Sequence, residues 1–155
     1  KMTTTKTTTT KDEREDLSYF TLTLQSFLNE SFPELANDKT FIEERSELAA
    51  QTYADALLAG HTHPEASELS NEVLYEGLHF SKFDMLFKVI CNEFDSQMPD
   101  DELRPFAMKM YPLCTDVFSK YSTNEPEFAD SADYELLYTE LTGTVAIHIE
   151  ENGLW

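Results

Sequence analysis

Apolar residues recur at intervals of three and four along most of the chain, and this period constrains the fold more than any other feature. The segment that follows Ser81 shows it plainly, with apolar side chains at Phe83, Leu86, Phe87, Ile90 and Phe94. Such spacing places side chains on one face of an α-helix. With four glycines and six prolines in 155 residues, the chain also lacks the turn residues of a β-sandwich. The pattern therefore predicts an all-α protein.

Glycine, proline and capping residues divide the chain into five to six helices with short connectors. We expect these helices to form a compact bundle. The first helix is predicted to begin near Asp16 or Ser18. It is expected to end before Pro33, because a residue that precedes proline disfavours the helical conformation. Pro112 predicts a kink or a break near residues 109–111 of the fifth helix, since proline cannot continue a helix ladder.

The final apolar element, about residues 132–151, carries two overlapping patterns. Apolar positions up to Val145 follow helical spacing, whereas residues 144–150 alternate between branched apolar side chains and others, as a strand does. We predict one long helix that closes at Asn152-Gly153, because a lone strand has no partner elsewhere in the chain. A terminal strand over residues 144–150 is the alternative.

The second helix has several candidate caps. Asp38 or Thr40 can cap it, and Thr40 has a glutamate, Glu43, at the capping-box spacing. Arg45 is expected to face water together with the neighbouring glutamates. His79 is expected to cap the last carbonyls of the third helix, as a cation near a helix C-terminus does.

The stretch GHTHPEASE, residues 60–68, contains the end of one helix and the beginning of the next. Gly60 is typical of the residue that follows a helix. Thr62 and Glu65 have the spacing of a capping box, in which each side chain binds the backbone amide of the other residue. The alternative is that His63 is the cap and Pro64 is the first helical residue.

The same stretch raises the alternative of a metal site. Part of a zinc ligand set could come from His61 and His63 together with Glu65 or Glu68. His79 could complete this set. The H-x-H spacing is a weak signal, because the chain has no H-E-x-x-H motif and no paired cysteines. A metal-dependent enzyme or metal-binding protein that uses these three histidines is therefore the alternative function.

Residues 1–11, KMTTTKTTTTK, contain almost no apolar side chain that could be buried. We predict that they form a disordered tail, and that residues 12–155 form a single helical domain. No apolar run approaches the roughly 18 residues of a membrane span. We therefore expect a cytoplasmic protein that does not associate with membranes.

The chain carries 30 acidic and 11 basic residues, which give a formal net charge of −19. Such a surface is repelled by phosphate backbones and by anionic lipids. We therefore predict no direct binding to nucleic acid. A basic protein partner suits this charge, and some of the aromatic excess could line a homodimer interface.

Four glutamates, Glu65, Glu68, Glu72 and Glu76, recur at helical spacing and are expected to share one face of the third helix. We call these four residues the acidic ridge. Like charges at such intervals repel mildly. The ridge is interpreted either as a solvated helix face or as the docking site of a basic protein.

No motif for catalysis or cofactor binding is found in the sequence. Four glycines cannot build a nucleophile elbow or a phosphate-binding loop. Cys91 and Cys114 fall on or beside apolar stripes, where a free cysteine acts as a small hydrophobic residue. We therefore assign no catalytic residue and no cofactor, and we predict a non-enzymatic helical interaction module.

Three stretches resemble a known family: NEVLYEGLHFSKFDMLFKVICNEF (Asn71–Phe94), LSYF (Leu17–Phe20) and LTGTVAIHIEENGL (Leu141–Leu154). From about residue 16 onward the chain is similar to small, uncharacterised all-helical proteins of Bacteroides-type bacteria, which are classed as a domain of unknown function. The resemblance implies an all-α fold, a cytoplasmic location and an association with mobile elements. It implies no enzyme activity and no active-site residues. A mobile-element protein with this charge could imitate DNA and occupy a DNA-binding protein.

Overall fold

The computed structural model describes residues 11–155, and this part of the chain is helical without a strand. The helices of at least 11 residues are α1 (Lys11–Ser31), α2 (Lys39–Leu58), α3 (His63–Leu74), α4 (Lys82–Glu93), α5 (Asp100–Met110) and α6 (Ala132–Asn152). The predicted all-α class is confirmed, and α6 confirms the long final helix over the terminal strand. The disordered tail predicted for residues 1–11 lies outside the described residues, except for Lys11.

The described residues cluster into two compact units, one that ends at Leu78 and one that begins at His79. The first unit contains α1, α2 and α3, and the second contains α4, α5 and α6. Each unit has an apolar core of its own. The single domain over residues 12–155 stays a prediction.

Helix α1 begins at Lys11, five residues before the predicted start at Asp16. The predicted start was placed beside the first apolar side chain of the helical pattern, and it was wrong. Glu13 and Glu15 lie in the first turns of α1, where negative charge is favoured by the positive end of the helix dipole. The acidic segment is therefore part of the helix.

The core of the first unit is built from one face of each helix. Helix α1 buries Phe20, Leu24 and Leu28, which are spaced four residues apart as one helical face requires. Aromatic rings connect α1 to its neighbours. The ring centroid of Phe27 lies 4.9 Å from that of Tyr75, which directly follows α3. The apolar spacing read from the sequence thus corresponds to the buried side of α1.

The second unit follows the predicted pattern as well. Helix α4 buries Phe83 and Ile90 completely, and α6 buries Leu141. After α5 the chain forms a 3₁₀ turn, Tyr111–Cys114, and then one turn of α-helix, Thr115–Phe118. The break predicted at Pro112 is therefore confirmed. In residues 11–155 no helix combines the length and the apolar character that a membrane crossing requires.

Arg45 holds the end of α3, although the sequence indicated that it faces water. Its Nη1 atom donates to the backbone oxygens of Leu74 at 3.1 Å and of Glu76 at 2.8 Å, and lies 3.4 Å from that of Val73. Its guanidinium also stacks over the ring of Phe41, 4.7 Å from the ring centroid. A cation at the carbonyl end of a helix satisfies orphan acceptors and complements the helix dipole. The role predicted for His79 thus belongs to Arg45.

We expect Arg45→Met to lower the free energy of unfolding by about 2 kcal/mol, because hydrogen bonds to charged groups contribute roughly 1.5–3 kcal/mol. Methionine keeps the apolar stem over Phe41 and removes only the guanidinium. Urea denaturation followed by circular dichroism measures the loss. The control is Lys39→Met, which removes an exposed cation of the same helix and should change stability by less than about 0.5 kcal/mol. Equal losses in both variants would contradict the capping role.

Candidate functional site

The joint between α2 and α3 begins with the glycine that ends α2. Gly60 adopts a φ of 100°, a left-handed conformation that side chains disfavour. The amide of Gly60 donates to the carbonyl of Leu57 at 3.1 Å, and the amide of His61 donates to that of Ala56 at 3.0 Å. This pair of bonds is the Schellman motif, which satisfies carbonyls that a helix end leaves free. The predicted stop at Gly60 is confirmed.

The joint continues with a reciprocal capping box. The hydroxyl of Thr62 accepts from the amide of Glu65 at 3.3 Å, and the carboxylate of Glu65 accepts from the amide of Thr62 at 3.0 Å. His63 is the first residue of α3 and Pro64 the second. The predicted capping box is confirmed, and the alternative with His63 as the cap is wrong. Two orphan amides of α3 are thereby satisfied.

The other predicted capping signals have mixed outcomes. Asp38 caps α2, since its carboxylate accepts from the amide of Phe41 at 3.1 Å. Thr40 lies inside α2, so the capping box proposed for it is wrong. Ser81 caps α4, and its hydroxyl accepts from the amide of Asp84 at 2.9 Å.

The histidines of the joint are bound to neighbouring side chains. His61 Nδ1 lies 3.3 Å from Glu65 Oε1, and His63 Nδ1 lies 2.7 Å from the hydroxyl of Tyr53. His79 is exposed and lies in the second unit. Within residues 11–155, no three side chains of His, Cys, Asp or Glu are grouped so that they could hold a metal ion. A metal role for His61, His63 and His79 stays a prediction.

The four residues of the acidic ridge are all exposed. Three of them, Glu65, Glu68 and Glu72, lie on α3, on the side away from the buried residues Ala66, Ser70 and Leu74. Glu76 was also expected on the helix, but α3 ends at Leu74 and Glu76 lies in the following turn. The chain turns there because the amide of Glu76 donates to the nearer carbonyl of Val73, and Gly77 adopts a φ of 81°.

Most of the ridge has no counter-charge. Within the part of the chain that the structure describes, the carboxylates of Glu68, Glu72 and Glu76 take part in no hydrogen bond and no ion pair. Glu65 differs, because the hydrogen bond from the amide of Thr62 and the contact with His61 lower its pKa below the ordinary value. The ridge therefore presents unpaired, exposed carboxylates at Glu68 and Glu72 of α3 and at Glu76 in the turn that follows it.

The two cysteines occupy different environments. Cys114 is completely buried, and burial raises the pKa of its thiol to about 11. Cys91 is half-buried, and its thiol pKa is raised by burial first and then by Asp100 and Asp95. Both shifts disfavour the reactive thiolate. The apolar interpretation is therefore confirmed for Cys114, and Cys91 lies at the edge of the core.

A surface cavity of about 420 Å³ in the second unit involves none of the site residues predicted from sequence. It lies in the connector that precedes α6 and is lined by Ser122, Glu125, Pro126, Glu127, Phe128, Ser131 and Asp133. No sequence motif predicted this cavity, because its lining residues carry none of the patterns typical of catalysis or cofactor binding.

Comparison with known proteins places the chain in a family. The family described as "Domain of unknown function (DUF1896)" matches residues 12–154, and the chain belongs to this family. It is similar to protein PG0816 from Porphyromonas gingivalis, whose crystal structure matches at 42% identity with a TM-score of 0.84. The match covers 94% of this chain and 99% of that chain. No curated protein matches the chain. The resemblance noted from the sequence is confirmed, and the mobile-element association stays a prediction.

The lowered pKa of Glu65 gives the joint a testable pH dependence. Glutamine at this position can still accept the hydrogen bond from Thr62 but does not titrate. The pKa of Glu65 is lower in the folded state, so its charge stabilises the protein above the ordinary pKa of 4.5. That contribution is lost as the pH falls through the folded-state value.

We therefore expect the stability difference between the wild type and Glu65→Gln to be present at neutral pH and to shrink below pH 4.5. Urea denaturation at a series of pH values measures it. Glu68→Gln is the control, since it removes a neighbouring carboxylate without touching the capping box. A difference that stays constant with pH would contradict the role given to the Glu65 charge.

Proposed function

We propose that the chain is a non-enzymatic interaction module whose acidic ridge binds a basic surface on a protein partner. One observation carries the proposal: Glu68, Glu72 and Glu76 are exposed and have no counter-charge within the described residues. Exposed carboxylates at helical spacing repel one another. A partner that supplies lysine or arginine side chains relieves this repulsion and gains charge-assisted hydrogen bonds.

The geometry of α3 supports a specific contact. Glu65, Glu68 and Glu72 are three and four residues apart, which separates them by about 4.5–6 Å along the helix axis. Basic side chains at similar intervals on a partner helix would meet them one by one. Because α3 is capped at its first turn and held by Arg45 at its end, little ordering is required on binding. Preorganisation of this kind increases affinity.

The charge of the first unit supports a basic partner as well. Residues 13–78 contain 14 acidic and three basic residues. A surface field of one sign accelerates the encounter with a partner of opposite charge. The same field repels phosphate backbones, so direct nucleic-acid binding is not part of the proposal. Binding at the ridge should weaken as salt concentration rises, because exposed charges are screened.

A narrower form of the proposal is that the ridge imitates the charge of DNA and occupies a DNA-binding protein in the cytoplasm. The regular row of carboxylates and the net charge of −19 support it, and the suggested mobile-element association gives it a biological setting. The alternative, a metal-dependent enzyme, requires a third ligand beside His61 and His63. Among residues 11–155, no three side chains of His, Cys, Asp or Glu are grouped so that they could hold a metal ion.

The test is charge reversal with a matched control. In the ridge variant, Glu68, Glu72 and Glu76 are each replaced by lysine. In the control variant the exposed residues Glu127, Glu150 and Glu151 are replaced by lysine, which changes the net charge equally. We expect wild type and control to capture the same basic protein from the native cytoplasm, and the ridge variant to lose it by at least about tenfold, as for several lost charge contacts.

Mass spectrometry of the captured proteins, with quantitative comparison of the three baits, measures the effect. The position of the charges decides the outcome, since the net charge of the two variants is the same. Equal loss in both variants would show that only the overall charge matters. Retention by the ridge variant would refute the ridge as the docking site.

The DNA-imitation form has its own test. Excess wild-type protein should displace a DNA duplex from the captured basic protein in a fluorescence anisotropy competition, whereas the ridge variant should not. If the captured protein binds DNA and wild type together without competition, DNA imitation is wrong and the broader docking proposal is unaffected.

A further inference from the structure

Helix α6 carries apolar residues on its buried face and also on the side that faces solvent. Its inner face buries Leu137, Leu141 and Val145. Its outer face exposes five uncharged residues, which we call the α6 stripe: Leu136, Thr139, Gly143, Ala146 and Ile147. Contiguous exposed apolar side chains on one face are typical of a contact surface.

The α6 stripe is free of charge in a strongly charged protein. Between Glu135 and Glu150, no exposed position of the helix carries a charged side chain. The one carboxylate in this interval, Glu140, is half-buried and is bound by Lys120 and by the hydroxyl of Tyr121. Leu136 and Ile147 keep 57% and 55% of their surface exposed. Large apolar side chains thus flank a central region of small ones.

Nothing within residues 11–155 explains why position 143 of α6 is a glycine. Glycine in the interior of a helix is less stable than alanine. A Cβ atom added at Gly143 would meet nothing within 4 Å, and the residue is not one of the glycines with positive φ. Neither packing nor backbone conformation therefore requires glycine here. A second helix that approaches closely would require it, since small residues let helix backbones come near.

We propose that the α6 stripe is a contact surface for a second copy of this chain. The charge distribution favours this occupant. Two molecules of net charge −19 repel at surfaces that present acids, so a contact between copies is favoured where exposed charge is absent. A partner recognised by charge would find nothing to pair with on the stripe. A second copy supplies an uncharged helix face of matching character.

The order of residues suits a two-fold contact centred on Gly143. In such a contact the same patch of both molecules is used, and residues on one side of the centre meet those on the other. Thr139 and Ile147 lie four residues before and after Gly143. The small Thr139 of one copy would therefore receive the larger Ile147 of the other. Helices that cross at about 50° diverge from the contact, which separates the glutamates at both ends.

The size of the stripe predicts a weak dimer. From Leu136 to Ile147 the helix extends about 16 Å, and a helix is about 10 Å wide. This area falls short of the roughly 800 Å² per partner that is typical of stable complexes. Since the surrounding charges repel, association should strengthen between about 0.1 M and about 1 M salt, as the Debye length falls from about 10 Å to about 3 Å.

Sedimentation equilibrium from micromolar to millimolar protein, at low and high salt, tests the proposal. We expect a monomer–dimer equilibrium that tightens with salt. Ile147→Lys should weaken it by at least about tenfold, because a buried unpaired charge is costly. The control is Leu113→Lys, which places lysine at a residue of the same unit with 54% exposure outside the stripe. It should leave the dimer unchanged.

Gly143→Gln gives two readouts of opposite sign. It should raise the midpoint of thermal unfolding, because glutamine is the better helix former, and it should abolish the dimer by blocking close approach. A protein that stays monomeric at millimolar concentration in high salt would overturn the proposal. So would a dimer that survives Ile147→Lys, or one that Leu113→Lys weakens equally.

Discussion

The hydrogen bonds from Arg45 to the end of α3 are the interaction on which the candidate site depends. Helix α3 has 12 residues, which is too short for a stable helix in isolation. Its glutamates repel one another and weaken it further. Packing of one narrow face and satisfaction of both ends must therefore supply its stability. Arg45 satisfies carbonyls at the C-terminal end of α3, and the joint at Gly60 and Thr62 satisfies amides at its N-terminal end.

The two ends of α3 act on the acidic ridge in different ways. At the amide end the charge of Glu65 is used within the capping box, so this carboxylate contributes to the fold as well as to the surface. At the carbonyl end Arg45 neutralises the helix dipole without reaching the ridge carboxylates. Glu68, Glu72 and Glu76 remain exposed and unpaired within the described residues.

The features that could be predicted from the sequence are those that depend on neighbours three or four residues apart. The capping box of Thr62 and Glu65, the cap at Ser81 and the stop at Gly60 are of this kind, because local backbone geometry decides them. Arg45 could not be placed in this way, since its acceptors lie 28 to 31 residues further along the chain.

The candidate site was predicted in part. Helical spacing located the ridge, but it could not show that the histidines of the joint bind Glu65 and Tyr53. The contact between Tyr53 and His63 depends on how α2 and α3 pack, whereas the contact between His61 and Glu65 joins residues four positions apart. The exposure of the α6 stripe was also beyond the sequence, because an apolar helix is expected to be buried and the periodicity does not show which side is left open.

The central claim is that the ridge is presented on a preformed helix, which Arg45 of α2 holds at its carbonyl end and the capping box of Thr62 holds at its amide end. Native-state hydrogen exchange, followed residue by residue by NMR, tests it most directly. If α2 and α3 open as one unit, the amides of Ser70 and Asn71 should be protected within about tenfold of those in the middle of α2. Amides of α3 that exchange at nearly the rate of an unfolded chain, while α2 stays protected, would contradict the account.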